Sequence, residues 1–176
     1  ARVTNISQEG VNHLQKLMVF SVYEDKEDTF RQVIDWDSIT SRITQGVEVR
    51  ADFRESFVKK LDAGERFTSK WIRERNAAIR GGGSFSFVKL HVDGPSTQAV
   101  FRLIDQLGGA NFYGLVLGTM SDGGVRGIDI YDYGKAELIS QSLRRSYLAF
   151  AAAASPKLRS QLKGWEAAFV DHAEDF

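Results

Sequence analysis

Apolar residues recur at intervals of three and four before residue 80, then at intervals of two between Gly81 and Tyr133. Val11, Leu14, Met18 and Val22 form one helical stripe behind Ser7, a good N-cap, with Gln8-Glu9 in the first turn. The acidic cluster at 24–28 ends that element or turns it into the next, and a short segment 29–34 follows. Asp35-Trp36-Asp37-Ser38 reads as a second helix start, with a packed indole, reaching Ile43 and stopping at Gly46. From about Val49 to Arg75 the stripe is Phe53, Phe57, Leu61, Gly64, Phe67 and Trp71, with charges between. Glycine inside a helix costs about 1 kcal/mol against alanine, so the pattern predicts one bent helix or two nearly collinear ones parting at Gly64.

Four strands are predicted over 84–93, 98–107, 110–119 and 125–133. Asp93-Gly94-Pro95-Ser96, Gly108-Gly109 and Ser121-Asp122-Gly123-Gly124 supply the turns between them. Gly81–Gly83 marks the passage from helix to sheet; no Gly-Lys-Ser/Thr and no helix follow, so it is a hinge rather than a phosphate loop. Helix returns over 135–154 with Ile139, Leu143, Tyr147 and Phe150 on one side. Ser155-Pro156 then opens a last helix carrying Leu158, Leu162, Trp165, Phe169 and Phe176. Its charges run from Lys157, Arg159 and Lys163 to Glu166, Asp171, Glu174 and Asp175, against the macrodipole, as in a helix held by packing or by a partner.

This order defines an α+β fold: N-terminal helices on a curved antiparallel meander of four or slightly more strands, closed by C-terminal helices. Residues 1–154 form the α+β domain and 155–176 a helical extension of it. Alternation puts Ile128 and Ile130 on one face of the fourth strand, with Asp129, Tyr131 and Tyr133 on the other. Val100 and Ile104 flank Arg102 opposite Phe101 and Leu103, and Phe112 and Val116 oppose Tyr113, Leu115 and Leu117. Both faces are apolar, so both are covered, by helices or by another subunit.

Composition narrows the function by exclusion. The 176 residues carry 23 Lys plus Arg against 23 Asp plus Glu, leaving no net charge to draw nucleic acid or an anionic membrane. The absence of cysteine excludes disulfides, thiolate metal sites and a cysteine nucleophile, and fits a cytoplasmic home as well as a periplasmic one. No apolar run approaches the roughly 20 residues of a membrane span, so a soluble chain is expected. It opens on Ala1, as a processed product would. Aromatics, led by 12 Phe, fall largely within the predicted strands and read as core.

Asn111-Phe112-Tyr113, the run from Gly127 through Asp129 to Tyr133, and Ser140-Gln141-Ser142-Leu143-Arg144-Arg145 together resemble bacterial members of the NTF2-like (cystatin-like α+β cone) superfamily. The likeness spans about residues 5–150. It implies a cone-shaped sheet around an inner cavity, frequent dimerisation through the sheet, and functions ranging from small-ligand enzymes to adaptor modules.

His13, His91 and His172 stand apart, with no metal-ligand spacing on one helix, and His91 and Asp93, two apart on a strand, read as a solvated edge. No cofactor and no metal are expected. Asp129, Tyr131 and Tyr113 are the candidate catalytic set: a desolvated aspartate accepts protons near neutrality and a tyrosine hydroxyl stabilises an oxyanion. The structural alternative pairs Asp129 with Arg102 or Arg126. Arg144 and Arg145 read as a charged helix face. The expected function is a module binding a small apolar or mixed-polarity ligand, or a protein partner, as a homodimer, with Arg102, Tyr113, Asp129 and Tyr131 as ligand contacts. Two alternatives are a cofactor-free lyase or isomerase using the Asp/Tyr pair, and an accessory domain of a larger assembly docking through its C-terminal helix.

Overall fold

The structure is a computed structural model and describes residues 6–47, 51–61, 65–154 and 162–171. Its helices α1 (Gln8–Tyr23), α2 (Glu27–Val33), α3 (Trp36–Thr44), α4 (Ala51–Leu61) and α5 (Glu65–Arg80) precede the sheet. Strands β1 (Ser84–Asp93), β2 (Ser96–Ile104), β3 (Ala110–Thr119), β4 (Val125–Asp132) and β5 (Glu137–Leu138) follow, then α6 (Ile139–Ala154) and α7 (Trp165–Asp171). The strands lie in chain order as one antiparallel sheet, curved and unclosed. This is the α+β architecture expected, with a fifth, short strand, and its form is compatible with a cone.

Local chemistry sets most boundaries. The Ser7 hydroxyl accepts the Gly10 N–H at 3.1 Å to start α1, whose Val11, Leu14, Met18 and Val22 are all buried. The Asp35 carboxylate caps α3 through Ser38 N at 3.3 Å. Residues 62–64, with Gly64, lie outside the described residues, and the predicted long helix is present as α4 and α5. α5 continues past Arg75 because Asn76 donates to the carbonyls of Val22 and Tyr23, at 2.9 and 3.0 Å, at the end of α1. Gly82, at φ 100°, then turns the chain, and Gly83 lies so close to the Ile104 carbonyl that a Cβ there would sit 2.2 Å from it.

Three predicted boundaries are corrected. β2 stops at Ile104 rather than Leu107, because the Asp105 carboxylate takes the N–H groups of Leu107 and Gly109 at 2.8 and 2.9 Å and bends the chain. The helix predicted from Lys135 starts at Ile139, since a turn through Ala136 (φ 54°) sends Glu137 and Leu138 back to pair with Asp132 and Tyr131. Leu162–Gly164 are not helical and α7 begins at Trp165, so Lys163 lies outside the helix and Glu166 sits in its first turn, where the macrodipole favours it. Ser155-Pro156, Leu158, His172 and Phe176 lie outside the described residues.

Register identifies the sheet faces. Phe85, Phe101, Tyr113, Leu115 and Ile130 are buried against Leu14 and Met18 of α1, Phe30 of α2 and Trp71 and Ile72 of α5. Phe85 stacks on Phe101 with ring centroids 5.5 Å apart, and Phe30 on Trp71 at 4.8 Å. Burying each such side chain contributes roughly 1.5–3 kcal/mol before entropy is counted. β4 departs from strict alternation: a bulge between the Val116–Asp129 and Leu117–Gly127 pairs lets Ile128 lie over Gly118, while Gly127 meets Leu115 and Ile34 on the core side. Ile128 therefore does not share the face of Ile130. On the far side of the sheet Phe112 and Tyr133 stay exposed, and Tyr133 covers the side-chain-free Gly114. Phe112 and Tyr133 on that face are left without full cover by the described residues.

Tyr147 of α6 packs against Phe57, with centroids 4.6 Å apart, and its buried hydroxyl has no hydrogen-bond partner among the described residues. Burial raises this hydroxyl above its ordinary value of 10.0. The folded chain then keeps a proton that the unfolded chain releases, so stability falls as pH climbs through and beyond about 10. Tyr147→Phe is expected to be neutral or stabilising by up to about 1 kcal/mol at pH 7, and to flatten the decline of the urea midpoint above about pH 10. Identical slopes in the two proteins would contradict this.

Candidate functional site

Two polar constellations stand out, and they differ in how fully their hydrogen bonds are met. The first centres on Asp129, which is fully buried on β4. Its carboxylate accepts four hydrogen bonds: from its neighbour Ile130 N at 2.9 Å, Ser140 N at 3.2 Å, the Ser140 hydroxyl at 2.5 Å and Arg42 Nη1 at 3.2 Å. Leu138, just before α6, has no side chain able to cap a helix, so Asp129 reaches in from β4 to satisfy a free N–H of its first turn. Gln141 completes the start by accepting Leu138 N at 3.1 Å.

The same junction ties in α3. Asp35 N donates to Gly127 O at 2.8 Å on β4, and Arg144 Nη1 donates to the carbonyls of Ile43 and Gln45 at 2.9 and 2.7 Å, closing the C-terminal end of α3. Arg144 Nε also holds Glu166 of α7 at 2.8 Å. Arg144 is therefore a largely buried tie among three helices and no free charged face, while Arg145 pairs with Glu137. The expected partners of Asp129 are corrected as well. Arg126 lies 3.8 Å from Asp122 and Arg102 is exposed on β2, whereas α3 brings Arg42 to the carboxylate.

The second constellation is a cleft of about 270 Å³ between α5, the β4–β5 turn and the start of α6. On its floor Arg75 lies over Trp71 at 3.9 Å and over Tyr113 at 4.3 Å, in the angle between two rings that meet edge-to-face. The Arg75 side chain is only 8% exposed, and its Nη1 donates to Trp71 O at 2.8 Å. Burial draws this guanidinium below its ordinary value, while Tyr113, Glu74 and Asp132 pull it back. Arg75 Nε and Trp71 Nε1 are buried donors with no acceptor among the described residues. Phe67, Ile139 and Leu143 give the cleft apolar walls, and Lys135 stands exposed at its rim.

The residues singled out from sequence are thus divided. Tyr113 lies on the core face beneath the cleft, with its hydroxyl accepting from Asn111 Nδ2 at 2.8 Å. Tyr131 pairs in register with Gly114 and lies on the opposite face, as does Arg102, which pairs with Phe112. Asp129 belongs to the helix junction. The candidate set of Asp129, Tyr131 and Tyr113 is not brought together around one cavity. Arg75 escaped the sequence reading, yet its signal was there: the stripe Phe67, Trp71 continues by four to a cation.

Among the described residues no helix is long and apolar enough to cross a membrane. No protein-family model matches this chain and no curated protein matches it.

Asp129→Asn removes a charge held by a buried network and is expected to cost about 2–4 kcal/mol in denaturant unfolding. An unchanged stability would show that the network does not hold the junction.

Proposed function

We propose that this protein is a ligand-binding module of the NTF2-like cone type that receives a small molecule in the cleft over Arg75, with no catalytic step assigned. The observation that carries this reading is a buried cation lying over two aromatic rings at the base of an open concavity. Burying a guanidinium is costly even with Glu74 at 3.5 Å and Asp132 nearby, and packing needs alone are met more cheaply by methionine or leucine. A ready-made charge at the end of a partly apolar cleft suits a ligand of mixed polarity. The rival reading, a lyase or isomerase working through Asp129, is weakened because that carboxylate is sealed from solvent and already accepts four hydrogen bonds.

A second copy of the chain seated on the open sheet face is favoured by the exposed Phe112 and Tyr133 beside Gly114. A strict monomer by light scattering at micromolar concentration would dismiss that pairing.

The cleft itself is tested by screening ring-bearing fragments of up to about ten heavy atoms, the size that the cleft admits, with amide chemical shifts as readout. Binders are expected to perturb Trp71, Arg75, Ser142 and Leu143, and to weaken at least tenfold in Ser142→Tyr, which fills the cleft. Fragments that bind elsewhere and ignore this substitution would refute the proposal.

A further inference from the structure

Polar groups facing the cleft are not evenly satisfied. Of its carboxylates, Glu137 is held by Arg145 at 2.5 Å, and Glu74 lies between Lys70 at 3.8 Å and Arg75 at 3.5 Å. Asp132 Oδ1 accepts the backbone N–H groups of Gly134 and Lys135 at 3.0 and 3.3 Å. Each acidic group therefore already has donors. The unmet capacity lies on the other side: Arg75 Nε and Trp71 Nε1 lack acceptors, and the Lys135 ammonium forms no ion pair among the described residues. All three residues line one cleft, Trp71 and Arg75 from α5 and Lys135 from the β4–β5 turn.

We infer that the ligand is a small monocarboxylate with a compact apolar body, its carboxylate received by Arg75 and Lys135 and its body by Phe67, Ile139 and Leu143. This rests on the cleft being the ligand site proposed above. Acceptors are what Arg75 Nε and the neighbouring Lys135 ammonium lack, and charge-assisted hydrogen bonds of this kind are the stronger class. The volume, about 270 Å³, has room for about nine waters, or a single ring with one substituent. Glu74 and Asp132 beside the cation would repel a dianion, which confines the ligand to one negative charge.

Three probes of one shape separate the possibilities: benzoate, neutral benzamide and cationic benzamidine, titrated into the full chain with the amide and Arg Nε resonances as readout. Benzoate is expected to bind in the millimolar range typical of nine heavy atoms, to shift Arg75 Nε–H, and to bind at least tenfold more tightly than the other two. Lys135→Glu, an exposed substitution that leaves the core alone, is expected to weaken benzoate at least tenfold and to strengthen benzamidine. Should benzamide or benzamidine bind the cleft as well as benzoate does, the anion inference is overturned while the cleft remains a ligand site. Absence of any cleft shift with all three probes overturns both.

Discussion

A buried carboxylate must be met by donors, and Asp129 meets that requirement with groups from three parts of the chain. Its own strand supplies Ile130 N, the start of α6 supplies Ser140, and α3 supplies Arg42. The consequence is architectural. α6 begins with a residue that cannot cap it, so the helix is anchored by β4, and the direction it leaves the sheet follows from that anchor. α3 is drawn to the same strand by Asp35 and to α6 by Arg144. The outer edge of β4 is thereby occupied by β5 at Tyr131 and Asp132 and met by Ile34 and Asp35 at Gly127.

The same constraint moves the functional question elsewhere. A carboxylate saturated with donors and shut from solvent is a poor proton acceptor for a substrate, whatever its neighbours. Arg75 presents the contrary case, a charge whose surroundings leave donor capacity unspent beside a cavity. Stability alone gives little reason to bury a cation there, and such local costs gather where function needs them. The two sites thus show the same physics with opposite outcomes: one polar group satisfied within the fold, the other with donors left over.

Much of the architecture was legible where it rests on near neighbours in sequence. The Ser7 cap, the Asp35 cap, the α1 stripe and the long strands with their glycine turns follow from spacing and turn chemistry within a few residues. What escaped depends on distant groups. Arg42 lies 87 positions from Asp129, so no local pattern could prefer it over Arg102 or Arg126. β5 is two residues long and exists only because Asp132 and Tyr131 are there to pair with it. The bulge at Ile128 breaks a pattern that alternation alone would continue, and it separates residues that looked like partners. Arg75 was visible as a charge in an apolar stripe, but its meaning required the Tyr113 ring from across the core.

The claim that one carboxylate fastens α6 and α3 to the sheet is tested most directly by native-state hydrogen exchange of the Ser140 amide. In the wild-type protein this amide is expected to exchange only with global unfolding, as the buried core amides do. In Asp129→Asn it is expected to exchange by local opening of the first turn of α6, while Leu115 and Phe101 amides keep opening only with the whole molecule. Equal protection of Ser140 relative to those core amides in both proteins would contradict the account.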